Sequence, residues 1–282
     1  MRVVSDPVRL EVLKNSLEGI ADGMAITVVR TSRSSVVRQN MDFSTGVLNA
    51  RGELIGQGFC NPTHLGGMMP ALQACMDRYR GRIYPGDIFA NNDPYEGASH
   101  LPDIFLFKPV YVGDILTGFL CVMSHHTDIG GRVAGGNACD STEIYQEGLR
   151  IPTLKLYERG KPKKELFELI ATNVRVPRKV LGDLRAEIAA VSLGERQFVK
   201  LAKKYGTHTL REYIEVLLGY TERLVRADIL ALKDGSFDFT AYIDADNIDE
   251  GPVKVSVTLT VLGDQMVVDL NGSSSQVKAG IN

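Results

Sequence analysis

Residues 91–131 read NNDPYEGASHLPDIFLFKPVYVGDILTGFLCVMSHHTDIGG. Two apolar runs of equal length lie inside, Ile104 to Val112 and Ile115 to Met123, joined by the two-residue turn signal Gly113-Asp114. That pattern predicts a β-hairpin. With a tight turn Val112 faces Ile115, which sets Pro102 opposite His125 and Asp103 opposite Ser124. His125 then returns beside His100 and Asp103, because paired positions sit roughly 5 Å apart and diagonal ones about 7 to 8 Å. A bulge would slip the register by one and bring His126 into play instead.

Two imidazoles and a carboxylate converging at the open end of a hairpin form a donor set for a divalent metal. Nitrogen ligands select borderline ions, so Zn, Mn or Fe(II) suits the set better than Ca or Mg. Three protein ligands leave positions for water or substrate, as in a catalytic rather than a closed structural site. A lone His-x-x-Asp is more often a hydrogen-bonded loop pair. The hairpin and the following His-His-x-Asp set this case apart.

Outward from the hairpin, the N-terminal side interleaves helices and strands. Asp6 as N-cap, Pro7 at N1 and the apolar series Leu10, Leu13, Leu17, Ile20, Met24 predict a helix to about Val29. Residues 41–58 alternate around Asn49-Ala50-Arg51-Gly52, a second hairpin. A helix over 65–79 follows, capped by Thr63, with Met68, Leu72, Cys75 and Tyr79 inward. On the far side, residues 125–152 hold five glycines and little periodicity, and long loops of this kind are usually functional or disordered. Potentially convergent polar groups in it are Asp128, Arg132, Asn137, Asp140, Glu143, Gln146, Glu147 and Arg150, and the Gly-Gly pairs at 130–131 and 135–136 allow close backbone approach to a ligand.

Helical patterns then run over about 165–172, 179–205 and 210–232. Gly206 stands where a C′ residue belongs, so the last two read as an antiparallel helical hairpin with His208 exposed in its turn. From Ser236 the pattern alternates, most clearly in Val253, Val255, Val257, Leu259 and Val261, with a Gly263-Asp264 turn before 265–270. Three strands make a small antiparallel sheet that needs a covering layer. The expected architecture is mixed α+β: a metal-site region over 1–160, a helical region over 161–234, and the start of an incomplete β-rich domain over 235–282.

At 282 residues and 44% hydrophobic, the chain can bury a sizeable core in one large or two ordinary domains. Thirty-two basic against 34 acidic residues leave a net charge of -2, without the electrostatic footprint of a nucleic-acid or anionic-membrane binder. Cys60, Cys75, Cys121 and Cys139 are scattered without a Cys-x-x-Cys pair and read as buried thiols in a reducing compartment. The N-terminus lacks an apolar stretch of signal or membrane-spanning length, so a cytoplasmic protein is expected. No phosphate loop, Gly-x-Ser-x-Gly elbow or His-Glu-x-x-His helix is present. Cys139 beside His125 or His126 would allow acyl transfer, but one cysteine near two histidines is common by chance.

Four segments, DPVRLEVLKNSLEGIADGM, NDPYEGASHLPD, SHHTDIGG and YQEGLRIP, resemble the B-type subunit of the hydantoinase and oxoprolinase family, related to the alpha subunit of acetone carboxylase. The likeness extends over essentially the whole chain, in order and spacing. Members of that family are longer, so a C-terminally truncated member is expected. The resemblance implies a hetero-oligomer in which ATP and Mg sit on a separate A-type subunit that phosphorylates a carbonyl oxygen, while the B-type part holds a metal. The acetone carboxylase metal triad falls on His100, Asp103 and His125, the residues the hairpin selects. It also implies that Asp93, His126 and Asp128 orient the ligands or transfer protons, with His126 or Asp128 as general base, and that Glu147 and Arg150 either contact substrate or form a structural salt bridge. The implied reaction is ATP-dependent hydrolysis of a cyclic amide such as a hydantoin, 5-oxoproline or lactam. Carboxylation of a ketone, and a non-catalytic scaffold whose metal only stabilises the fold, are the alternatives.

Overall fold

The computed structural model describes residues 6–249 and 251–281. In chain order the elements are α1 (Pro7–Thr31), α2 (Ser35–Arg38), β1 (Phe43–Asn49), β2 (Leu54–Gln57), α3 (Leu65–Arg78), β3 (Ile88–Asn91), β4 (Asp103–Val112), β5 (Ile115–His125), β6 (Leu154–Glu158), β7 (Lys161–Pro162), α4 (Lys164–Asn173), α5 (Pro177–Tyr205), α6 (Thr207–Leu230), β8 (Gly235–Ile243), β9 (Val253–Leu262) and β10 (Gln265–Asp269). The architecture is mixed α and β with two antiparallel sheets, as expected. One sheet has seven strands in the order β2-β1-β5-β4-β3-β6-β7, the other three in the order β10-β9-β8.

The hairpin forms at its expected turn, with Val112 opposite Ile115, but its register slips between Val110 and Tyr111. Val110 pairs with Gly118 and Tyr111 with Leu116, so Thr117 is the extra residue, and from there outward each pair is displaced by one. Asp103 therefore faces His125, not Ser124 as the unbulged register required. The slip does not exchange His126 for His125, which corrects the other half of that expectation. Direct partners point to one face of a sheet and their neighbours to the other. Asp103 and His125 therefore share a face that His126 leaves.

Both faces of this hairpin are covered, which is why its sequence shows apolar runs instead of alternation. On one side α3 packs Met68, Ala71, Leu72 and Cys75 into a core with Leu48, Phe89, Phe105, Phe107, Phe119, Cys121 and Met123. On the other lie α1 and α5, which pack on each other and on strands β1, β2, β4 and β5. A Cβ at Gly194 of α5 would stand 2.6 Å from Met24 Sδ and 3.0 Å from Leu120 Cδ1, so glycine sets the close approach of helix, helix and sheet. The neighbour of α5 is thus α1, where the sequence suggested a hairpin with α6. Gly206 ends α5 as its C-cap, with φ +85° and ψ 139°, a conformation open to glycine but not the left-handed helical one of a C′ residue, and α6 starts at the next residue.

Asp6 caps α1 by accepting from Arg9 N at 3.0 Å, as expected. Thr63 does not cap α3. Asn61 Oδ1 accepts from Thr63 N instead, starting a 3-10 turn over Pro62–His64 that leads into the helix. The four-residue β3 and the strands β6 and β7 carried too little periodicity to be read. The thiols are all free, but only Cys75 and Cys121 are buried; Cys60 is half-buried and Cys139 exposed. Among the described residues no helix is long and apolar enough to cross a membrane.

The chain divides into two compact units, one of residues up to 136 with 148–215, the other of 137–147 with residues from 216 onward. Segment 161–205, read as part of a separate helical region, belongs to the first unit because α4 packs on α5, and α5 packs on the seven-stranded sheet. In the second unit β9 pairs with β8 and β10 without a register slip.

Candidate metal centre

The expected triad assembles. His100 Nε2 lies 3.0 Å from Asp103 Oδ1 and 3.2 Å from His125 Nδ1, and His125 Nδ1 lies 3.1 Å from the same carboxylate oxygen. Three donor atoms on three residues thus form a nearly equilateral triangle. With metal–ligand bonds of about 2.1 Å, adjacent donors sit about 3.0 Å apart at right angles and about 3.4 Å apart at tetrahedral angles. The observed edges fit one face of a coordination shell, and the donor chemistry fits Zn, Mn or Fe. His100 is the solvent side of the triangle, its side chain 42% exposed, while Asp103 is 2% exposed at its floor.

Each of the three side chains is placed by a different device. Antiparallel pairing sets Asp103 against His125. His100 sits in the loop before β4, and that loop is locked by the Asn91-Asn92-Asp93 run. Asn92, fully buried, donates to Leu101 O at 2.6 Å and Leu149 O at 2.9 Å, and accepts from Ile151 N at 2.6 Å. Asn91 donates to Glu96 O, and Gly97 makes the turn with φ +88°, its Cα so close to α3 that a Cβ would stand 2.6 Å from Ala71 N. Ser99 Oγ donates to Asp103 Oδ2. Burial alone would raise the Asp103 carboxyl, but hydrogen bonding to His100 and His125 outweighs it and holds the group well below the usual carboxylate range. Asp103 is therefore an anion, as a ligand must be.

Two further side chains reach this centre that the sequence did not suggest. Pairing of β1 with β5 sets Phe43 opposite Ser124, so Asp42 arrives beside His125, with Oδ2 3.9 Å from its Nδ1. His64 comes from the 3-10 turn before α3. Its Nε2 lies 3.7 Å from Asp42 Oδ1 and 3.9 Å from Asp103 Oδ2, and its Nδ1 is 3.0 Å from Ser44 Oγ. Burial lowers the pKa of this imidazole despite the two carboxylates, so it is neutral near pH 7. One signal was available: of five histidines, four stand at 64, 100, 125 and 126, and strand pairing gathers them at one end of the sheet.

His126 and Asp128 are placed elsewhere than a general base requires. His126 is fully buried, with Nε2 2.9 Å from Glu187 Oε1 on α5. Burial pushes the Glu187 carboxyl up to about 7. Burial alone would lower the His126 imidazole, but the Glu187 charge overrides it and the net shift is upward. Asp128 accepts from Gly130 N, Gly135 N and Arg175 N and pairs with Arg175 Nη1 at 3.1 Å, so both oxygens are taken. It orders the glycine loop, helped by Arg175, which also donates to the carbonyls of Gly130, Gly131 and Val133.

Asp93 accepts from Tyr95 N, and its Oδ2 lies 3.1 Å from Arg150 Nε, an ion pair that ties the His100 loop to the segment after Gly148. Glu147 falls in the second unit. So does Cys139, exposed there.

The family model described as hydantoinase B/oxoprolinase matches residues 6–282. Among curated relatives, the beta subunit of the caprolactamase of Pseudomonas jessenii is 35% identical over 98% of this chain and 48% of its own length. The putative B-type subunit of a D-/L-hydantoinase of Pseudomonas sp. (strain NS671) is 32% identical over 96% of this chain and 48% of its own length. The crystal structure of the ATP-dependent caprolactamase from Pseudomonas jessenii superposes with a TM-score of 0.94 at 34% identity, covering 99% of this chain and 48% of that one. A nucleotide-free acetone carboxylase structure shares the fold, with a TM-score of 0.89 at 19% identity over 96% of this chain and 38% of that one. The chain thus spans about half the length of the curated bacterial relatives it matches.

Proposed function

Because this chain belongs to the hydantoinase B/oxoprolinase family, we propose that it is the metal-bearing part of an ATP-dependent hydrolase of cyclic amides. It would act with an A-type subunit that holds ATP and Mg. The observation that carries the reading is the triangle of His100 Nε2, Asp103 Oδ1 and His125 Nδ1, with edges of 3.0 to 3.2 Å. The relatives named for hydantoinase and caprolactamase supply the substrate class, a ring amide.

An amide carbonyl is a poor electrophile, and phosphorylation of its oxygen by the partner would make it an imidate-like one. A Zn, Mn or Fe ion held by the triad supplies Lewis acidity, the property that makes water a usable nucleophile near neutral pH. Asp103 fixes both imidazoles in orientation, and Asp42 faces the same centre as a candidate fourth donor, the second oxygen of the set. His64 offers a neutral Nε2 turned toward both carboxylates, with its other nitrogen held by Ser44. It is better placed to carry a proton than His126, which is fully buried with Nε2 held by Glu187, or Asp128, whose two oxygens are both taken. Asp93 and Arg150 act by positioning His100.

Reconstitution with an ATP-binding A-type subunit tests the proposal: ATP turnover should depend on a hydantoin, 5-oxoproline or lactam and should disappear in His100→Ala, Asp103→Ala and His125→Ala. Turnover that requires acetone and bicarbonate would replace hydrolysis by carboxylation. Undiminished turnover after removal of the metal would leave the chain a scaffold.

A further inference from the structure

The basic side chains at the start of α5 carry charge that the fold leaves uncompensated. A cavity of about 890 Å³, open to solvent, lies within the first unit and is lined by Arg33, Arg175, Arg178, Lys179, Gly182 and Arg185, with no carboxylate in its wall among the described residues. Of its five cations only Arg175 has an ion pair among the described residues, with Asp128. Asp183, next to Gly182, is 1% exposed, and its Oδ1 accepts from Arg33 N and Ser34 N. Five cations against Asp128 and Asp183 leave three positive charges over.

The arginines are gathered by the helix itself. Arg178, Gly182 and Arg185 follow one another at i, i+4 and i+7, so they share one face of α5 over about 10 Å of its axis. A Cβ at Gly182 would stand 2.3 Å from Arg33 Cγ, so the missing side chain lets the stem of Arg33 lie on the helix between the two other arginines. This arrangement costs stability. Like charges crowd one face, and Arg178 and Lys179 stand in the first turn, where the positive end of the helix dipole repels cations. That turn holds no acidic residue, and Val176 as N-cap offers no side-chain acceptor. Local rules are set aside in this way where a ligand supplies what the chain lacks.

We infer that this cavity binds a polyphosphate anion, either pyrophosphate or the phosphate chain of a nucleotide. Arg33, Arg178 and Arg185 present guanidinium forks that match pairs of phosphate oxygens, and Lys179 adds a point charge. One phosphate group carries about 1.5 to 2 negative charges near pH 7, so two linked phosphates balance the surplus. The volume lies within the range of small-molecule sites, about 300–1,000 Å³, and the concave form suits a compact anion better than the flat surface of a protein partner. The site does not depend on the metal chemistry proposed above.

Calorimetric titration of the metal-free 282-residue chain with pyrophosphate, ATP and ADP, at about 0.15 M salt, tests the inference. Saturable one-to-one binding of pyrophosphate is expected. Equal affinity for pyrophosphate and ATP identifies the bare phosphate chain as the ligand, and tighter binding of ATP identifies a nucleotide; both support the site. Arg178→Ala and Arg185→Ala should each weaken binding by about tenfold or more, whereas Lys200→Ala, which removes an equal charge from an exposed position on the same helix, leaves it unchanged. The removed cations oppose one another and, for Arg178, the helix dipole, so both arginine variants should keep or raise the melting temperature. Absence of saturable binding for all three anions, or binding that neither arginine variant weakens beyond Lys200→Ala, overturns the inference. So does loss of A-type subunit binding in the arginine variants without loss of pyrophosphate affinity, since the cavity would then seat a protein.

Discussion

Replacing Asn92 by alanine should unlatch His100 without touching a ligand. Asn92 is fully buried and makes three side-chain hydrogen bonds, to Leu101 O, Leu149 O and Ile151 N, at 2.6 to 2.9 Å. A hydrogen bond contributes about 0.5–1.5 kcal/mol net, and a buried group left without a partner costs about 1–3 kcal/mol. Three bonds lost together, with partial relief from water entering the vacated volume, give a destabilisation of roughly 3–5 kcal/mol. Asn92→Asp should be at least as damaging, because it keeps the acceptor for Ile151 N but turns an oxygen toward two carbonyls. Urea unfolding measures the stability, and calorimetric titration with Zn or Mn measures the site. Positioning groups around a metal typically set affinity by about 10–100-fold, and a loss in that range is expected here. A destabilisation under about 1 kcal/mol together with unchanged metal affinity would refute the idea that the Asn-Asn-Asp run builds the site.

Asp87→Ala should cost about 3 kcal/mol in urea unfolding, because it removes the nearer carboxylate from the buried Lys155 ammonium, 2.8 Å away and 7% exposed, and leaves it only Glu158 at 3.8 Å and the Arg82 carbonyl. Adding Lys155→Met should recover most of the loss. Gly97→Ala forces a φ of +88° on a side chain and sets its Cβ 2.6 Å from Ala71 N, so a loss of roughly 2 kcal/mol or more and weaker metal binding are expected, both read by the same titrations. Burial alone would raise the Asp128 carboxyl, but the backbone donors of Arg175, Gly135 and Gly130 and the Arg175 guanidinium outweigh it and depress its pKa. Its contribution is therefore present above the unfolded value of about 3.9 and is lost as pH falls through the lower, folded value. Asp128→Asn should flatten the acid limb of stability against pH.

The part of the site that lies within one hairpin was legible, because a two-residue turn and two equal apolar runs fix which strand ends meet. The position of the bulge was not. Thr117 carries no mark of being the extra residue, and one residue of slip decides which side chains share a face. Asp42 and His64 escaped for a different reason: they reach the centre through the pairing of β1 with β5, across more than eighty residues for Asp42, and nothing local announces that pairing. The 3-10 turn that aims His64 starts at Asn61, so a cap assigned to Thr63 hid it. His126 illustrates the converse. Its neighbourhood to a ligand in sequence suggested chemistry, while alternation along the strand sent it to Glu187 on α5. The reading of α6 as the neighbour of α5 passed over Gly194, whose missing side chain admits Met24 of α1.

X-ray absorption at the metal edge of the zinc- or manganese-loaded chain tests the central claim most directly. The account predicts two imidazole nitrogens and one or two carboxylate oxygens at about 2.0–2.2 Å, with one imidazole lost in His100→Ala and one in His125→Ala. A shell containing sulfur, or one unchanged by both substitutions, would contradict it.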